Sequence, residues 1–103
     1  MTAPHKAIDY IITNREKYAQ AKAARVYLEE FRKSKKALLM KDALGRGIEA
    51  VNAQEREAYS HPEYLELLTA LQAAIEQEET IKWGIEAARM RVDVWRTEEA
   101  TAR

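Results

Sequence analysis

Three chemically reactive side chains stand within four residues of one another near the middle of the chain. Ser60 supplies a hydroxyl, His61 an imidazole and Glu63 a carboxylate, which are the groups of a hydrolytic triad. Residues this close along one turn cannot aim at each other as nucleophile, base and orienting group, and no second segment supplies the missing partners. We therefore expect this stretch to be structural, and the chain to be non-enzymatic, with no catalytic residue.

The same residues fit the start of a helix. Ser60 and Glu63 have the spacing of a capping box, in which the hydroxyl accepts a backbone N–H and the carboxylate bonds back to the cap. Pro62 would lie in the first turn, where its missing N–H costs nothing. Tyr59 and Tyr64 occupy the two positions of a hydrophobic staple. The stretch therefore predicts that a helix begins at residue 61.

Composition excludes several classes of function. The 103 residues include no cysteine, so a disulfide framework, a thiolate metal site and a cysteine nucleophile are all excluded. Three glycines leave no phosphate-binding loop. The two histidines, His5 and His61, both stand at predicted helix starts, and we predict no metal and no cofactor. No apolar run approaches the roughly 18 residues of a membrane span, and no signal segment is present, so we expect a soluble cytoplasmic protein.

Hydrophobic periodicity predicts an all-α fold. Apolar residues recur near a 3.6-residue period through the first part of the chain, and the segment Gly45-Arg46-Gly47 would end that helix. Thr2 is predicted to cap its start. A second long helix follows a connector that contains a weaker helical segment. We expect a single domain that forms a long antiparallel helical hairpin, with helices at about 4–44 and 61–101 and the connector at 45–60.

Wide apolar stripes on both helices predict self-association. The second helix carries six heptads in register, with Glu78 as a buried polar residue that sets the register and Gly84 packed closely against a neighbouring helix or Trp83. Eight aromatic residues require more cover than one partner helix provides. A symmetric dimer that forms a four-helix bundle would supply it. The predicted interface residues are Leu71, Ile85, Val92 and Trp95.

The distribution of charge leaves two interpretations open. Residues 15–46 hold ten Lys/Arg and four Asp/Glu, and residues 47–103 hold six and twelve, so the two parts carry +6 and −6. Either the basic helix pairs with the acidic one, or its basic face binds DNA phosphates or an acidic partner. We favour pairing, because the net charge is zero and no DNA-binding motif is present. The candidate contact residues are Arg25, Arg32, Lys33, Lys35, Lys36 and Lys41.

Three strings in the sequence carry a resemblance. They are RVYLEEFRKSKKALLM, QEREAYSHPEYLELL and VDVWRTEEATAR. Together they resemble a group of short helical proteins encoded by phages and prophages of proteobacteria, from about residue 25 to the end of the chain. The resemblance implies an accessory protein that binds a protein partner of phage or host origin, either in replication and recombination or as an inhibitor of a host factor. A DNA-binding accessory protein is the alternative.

Overall fold

The computed structural model describes residues 4–102, and nearly all of them are helical. The elements are α1 (His5–Gly45), α2 (Val51–Ser60) and α3 (Pro62–Ala102). No strand occurs in this range. The two long helices pack against each other in a hairpin-like arrangement, and their bounds lie within one residue of the predicted ones. The all-α hairpin prediction is therefore confirmed, while the predicted cap Thr2 lies outside the described residues.

The chain divides into two compact units, and both long helices contribute to each. Unit 1 combines the residues up to Lys22 with those from Glu76 onward, and unit 2 comprises Ala23–Ile75. The start of α1 thus shares a unit with the end of α3, as an antiparallel course requires. The sequence of unit 2 holds eight Lys/Arg and eight Asp/Glu, and that of unit 1 nine of each. Each unit is therefore neutral.

The core of unit 2 is small and draws on all three helices. Leu39 of α1, Ala58 of α2 and Tyr64 of α3 form a buried cluster, against which Met40 and Leu68 pack. Among the described residues, no large side chain is fully buried. The folded chain therefore leaves much apolar surface near water.

Small residues bring the helices of unit 1 together. Ala7 and Ala21 of α1 and Ala88 of α3 are buried. Gly84 faces the ring of Tyr10, and a Cβ added at Gly84 would lie 3.1 Å from the Cζ of that ring and closer still to its hydroxyl. The glycine therefore allows a neighbouring helix to approach, which was one of its two predicted roles.

Backbone hydrogen bonds and one buried amide close the turn after α1. Gly47 has φ 97°, in the left-handed region that favours glycine. Its N–H donates to the Leu44 carbonyl at 3.0 Å. The Ile48 N–H donates to the Ala43 carbonyl at 3.0 Å, which completes a Schellman motif. Nε2 of the buried Gln54 donates to the Ile48 carbonyl at 2.8 Å. The sequence does not predict this role for Gln54.

The capping-box prediction for Ser60 is wrong. Ser60 is the last residue of α2, and its hydroxyl donates to the Arg56 carbonyl at 2.7 Å. His61 has extended backbone, with φ −68° and ψ 135°, as the residue before a proline prefers. Its Nδ1 accepts the N–H of Glu63 at 3.1 Å. His61 is therefore the N-cap of α3, and Pro62 is the first helical residue, in the first turn as predicted.

Candidate functional site

A basic groove lined by two tyrosines lies within unit 2. Its walls are Arg32, Lys33 and Lys36 of α1, Tyr59 of α2 and Tyr64 of α3, and its volume is about 400 Å³. We call this site the basic groove. Three of the six candidate contact residues therefore meet at one site, together with both tyrosines of the predicted staple.

Tyr59 forms a half-exposed aromatic surface in the groove. The centroids of the Tyr59 and Tyr64 rings are 5.4 Å apart, with the rings at 75°. Because His61 and not Ser60 is the N-cap, each tyrosine stands one position before the N′ and N4 positions of a staple, so the staple prediction is wrong in register although the two rings are in contact. Tyr64 is 7% exposed and Tyr59 is 45% exposed. The Nζ atom of Lys36 lies 4.8 Å from the centroid of the Tyr59 ring, a distance at which a cation and a ring attract. Because neighbours hold the ring on two sides, a ligand can contact it with little further ordering.

Ion pairs connect the basic part of α1 with the acidic segments. The Nζ atom of Lys35 lies 3.0 Å from Oε2 of Glu63 on α3, and Nζ of Lys36 lies 3.8 Å from Oε1 of Glu55 on α2. The hydrogen bond and charge of Lys35 hold the pKa of the Glu63 carboxyl below its usual range. The Tyr59 side chain, and then Glu55, raise the pKa of the Lys36 ammonium. Part of the charge split in the sequence thus serves pairing between helices.

Two of the remaining four candidate cations have a carboxylate partner on α1, and the other two have none within 4.0 Å among the described residues. Arg25 and Lys33 pair with glutamates of α1 itself, at 3.0 and 3.3 Å. Within residues 4–102, no carboxylate oxygen lies within 4.0 Å of the Arg32 guanidinium or the Lys41 ammonium. Of these two, Arg32 alone lines the basic groove. Arg32 is therefore the groove cation best placed to meet an anion from outside, and a contact with any partner stays a prediction.

The residues predicted for an oligomer interface lie mostly on the inner side of α3. Leu71 is 6% exposed, so its own chain already covers it. Ile85, Val92 and Trp95 are half-buried. Glu78, predicted as a buried polar residue, is also 6% exposed. The heptad row thus packs the hairpin itself, and its place in a contact between copies stays a prediction.

A second apolar row of α3 faces outward in unit 1. Trp83, Ala87, Met90 and Val94 follow the i, i+4, i+7, i+11 spacing of one helix face, and we call them the apolar stripe. Trp83 is 60% exposed, Met90 57% and Val94 55%. The indole N–H of Trp83 donates to Glu79 at 3.0 Å, so its polar atom is satisfied while the ring stays exposed. A contiguous exposed row that contains tryptophan is typical of an interaction surface.

A comparable row on α1 lies in unit 2 but is interrupted. Tyr27, Phe31 and Leu38 share one face, and Ser34 takes the position between the last two. The Tyr27 and Phe31 rings are stacked, with centroids 5.9 Å apart and planes at 6°. Leu38 is 57% exposed, the same fraction as Met90. This row offers a matched comparison for the apolar stripe.

Two further findings concern the described part of the chain. No group of three or more His, Asp or Glu side chains there could hold a metal ion. None of its helices combines the length and the apolar character that crossing a membrane requires.

No family model, curated protein or solved structure matches this chain. The basic groove and the apolar stripe are therefore the two candidate functional surfaces of the described residues.

Proposed function

We propose that this chain is a non-enzymatic accessory protein that associates with a second copy of itself and binds a protein partner. The observation that carries the proposal is the exposed apolar stripe of α3, in which Trp83, Met90 and Val94 are each more than half exposed. Exposed apolar surface is unfavourable by about 25 cal/mol per Å² relative to its burial. In a symmetric dimer, the stripe of one copy covers the stripe of the other.

The surface area of the chain supports self-association. The chain exposes 7694 Å². A compact monomer of its mass of 11.9 kDa exposes roughly 6,000 Å². A standard interface buries about 800 Å² on each partner, which is roughly half of this excess of about 1,700 Å². One interface between copies would therefore bring the exposed area of the chain towards that of an ordinary globular protein.

The proposed class of partner rests on the resemblance to phage-encoded proteins. On that basis, the partner belongs to the phage replication and recombination machinery, or is a host factor that the protein inhibits in the bacterial cytoplasm. A DNA-binding role through the basic face of α1 is the alternative. We favour a protein partner, because Lys35 and Lys36 already pair with acidic side chains and the sequence of unit 2 carries no net charge.

Sedimentation equilibrium at micromolar concentration tests self-association. We expect the wild-type chain to sediment at about twice its mass of 11.9 kDa. Met90→Lys places a charge in the apolar stripe and should raise the dissociation constant by roughly tenfold or more, since an unpaired charge is costly to bury. Leu38→Lys is the matched control, because Leu38 and Met90 are both 57% exposed on long helices. It should leave the dissociation constant within about twofold of wild type, compared with the roughly tenfold change expected for Met90→Lys.

Two results would contradict this assignment. A wild-type chain that stays monomeric from micromolar to millimolar concentration would end the self-association proposal. Dissociation by Leu38→Lys but not by Met90→Lys would move the interface to α1. The partner class is tested by affinity capture from phage-infected cells, with and without nuclease, since capture that nuclease abolishes would favour the DNA-binding alternative.

A further inference from the structure

We infer that the basic groove binds an acidic segment of a protein partner, in which a carboxylate side chain adjoins an aromatic or large aliphatic one. The inference deepens the proposed function, because it assigns the chemistry of the partner and the surface that recognises it. It depends on three features of the groove, which are its cations, its aromatic surface and the acidic residues at its rim.

The groove presents a cation that no internal carboxylate neutralises. Arg32 lines the groove and has no carboxylate oxygen within 4.0 Å among the residues that the structure describes. A guanidinium binds a carboxylate through two parallel hydrogen bonds, which makes arginine well suited to this anion. Lys36 lies on the same wall, where its contact with the Tyr59 ring limits the motion of its ammonium group. Arg32 thus supplies the geometry for one carboxylate, while Lys36, which already lies 3.8 Å from Glu55, adds positive charge to the same wall.

The aromatic wall selects what stands beside that carboxylate. Tyr59 is 45% exposed and is held by the edge of Tyr64 on one side and by Lys36 on another. A pre-ordered ring pairs favourably with a second ring or with aliphatic groups, because it loses little freedom on binding. The volume of about 400 Å³ lies within the range of about 300–1,000 Å³ found for small-ligand pockets, so it has room for one large side chain and a carboxylate.

The rim of the groove favours a protein segment over a nucleic acid. Glu30 lies 3.3 Å from Lys33, and Glu55 lies 3.8 Å from Lys36, so carboxylates flank two of the three groove cations. A nucleic-acid strand carries a phosphate at every step and would run past these carboxylates, with an unfavourable like-charge contact on leaving the groove. A single carboxylate from a protein can end at Arg32 and need not pass these rim carboxylates. Basic residues of the partner that flank this carboxylate would be attracted by Glu30 and Glu55.

Fluorescence anisotropy with defined probes tests the inference. The probes are the labelled peptide acetyl-Lys-Glu-Phe-Glu-Lys-amide, the same peptide with both Glu replaced by Gln, and a labelled oligothymidylate of about twelve nucleotides, a length that spans a typical single-strand binding site. We expect the acidic peptide to bind in the micromolar to millimolar range and roughly tenfold more tightly than its Gln counterpart, the factor typical of one lost charge-assisted hydrogen bond. Arg32→Gln should weaken acidic-peptide binding by a similar factor.

Lys41→Gln is the matched control variant. Lys41 is an exposed cation of the same helix that also has no carboxylate within 4.0 Å in residues 4–102, but it does not line the groove. It should leave peptide affinity nearly unchanged. Absence of acidic-peptide binding at millimolar concentration, or equal losses in Arg32→Gln and Lys41→Gln, would overturn the inference. Salt-sensitive oligonucleotide binding that is lost in Arg32→Gln, without peptide binding, would overturn it in favour of DNA.

The design separates this inference from the proposed function. Sedimentation equilibrium on the same Arg32→Gln sample reports self-association, which the groove substitution should not change because the apolar stripe lies in unit 1. Failed peptide binding by a chain that still forms dimers therefore overturns the groove assignment alone. Failed self-association in the wild type overturns the proposed function, whatever the peptide does.

Discussion

The contact between Tyr10 and Gly84 allows the packing of unit 1 to be tested by substitution. Gly84→Ala removes an interior helical glycine, which by itself stabilises a helix by about 0.5–1 kcal/mol. The added Cβ would lie 3.1 Å from Cζ of Tyr10 and closer to its hydroxyl, so the ring must move. Overpacking costs about 1–3 kcal/mol. Since Tyr10 is 43% exposed and can swing towards solvent, we expect the lower end of that range.

A double-mutant cycle separates the two effects. In the wild-type background, Gly84→Ala should change the free energy of unfolding by close to zero, because the helix gain and the displacement of the ring offset each other. In a Tyr10→Ala background the obstacle is gone, and Gly84→Ala should stabilise the chain by about 0.5–1 kcal/mol. The coupling between the two sites is then about 1 kcal/mol, well within the range seen for residues in contact.

Urea unfolding followed by circular dichroism measures all four chains, at one protein concentration because association also adds stability. Ala73→Gly is the control, since Ala73 is exposed on the same helix and should lose about 0.5–1 kcal/mol whether or not Tyr10 is present. If Gly84→Ala gave equal stabilisation with and without the Tyr10 ring, that ring would not pack against Gly84 as described, and the role assigned to the glycine would be refuted.

Two further predictions concern the start of α3. His61→Ala should lower the free energy of unfolding by about 1 kcal/mol through loss of the N-cap bond, whereas Ser60→Ala should be nearly neutral, and urea unfolding that ranked them in the opposite order would restore the capping box. Because Lys35 lowers the folded-state pKa of Glu63 below its ordinary 4.5, the pair stabilises the fold above that pH and loses this effect as pH falls through the folded pKa. The stability difference between wild type and Glu63→Gln should therefore be present near neutral pH and vanish in acid. A pH-independent difference, or an equal one for the exposed Glu66→Gln, would contradict this assignment.

The helix ends could be predicted because local chemistry determines them. Only glycine suits the left-handed backbone at residue 47, and a proline at residue 62 forces the residue before it out of the helix. The cap was assigned wrongly because Ser60 and His61 both fit a helix start locally. Which of the two residues is the N-cap depends on where α2 ends. The end of α2 depends in turn on the packing of Ala58 and Tyr64 against Leu39 of α1.

The candidate surfaces could be predicted only in part, because they depend on which helix faces meet. The cations of α1 were apparent from the sequence, but Arg32 and Tyr59 come together only when α2 folds back on α1. In α3 two apolar rows lie side by side, and the longer heptad row was assigned to an oligomer. The hairpin uses that row for its own interior, as Leu71 shows, and leaves Trp83 and Met90 exposed. Periodicity identifies a row, whereas tertiary packing decides what covers it.

One physical rule accounts for both proposed surfaces. Each unit holds equal numbers of acidic and basic residues, and the hairpin buries Leu71 and half-buries Ile85, Val92 and Trp95 of the heptad row. What remains for other molecules is what this pairing does not use. Among the charged side chains of the groove, Arg32 has no carboxylate within 4.0 Å in the described residues, and it lines the groove with the half-exposed Tyr59. Among the apolar groups that α3 contributes to unit 1, the row from Trp83 to Val94 stays exposed. Because the two sets lie in different units and differ in chemistry, we expect that each can be disabled without loss of the other, which allows the proposed self-association and the proposed partner binding to be tested separately.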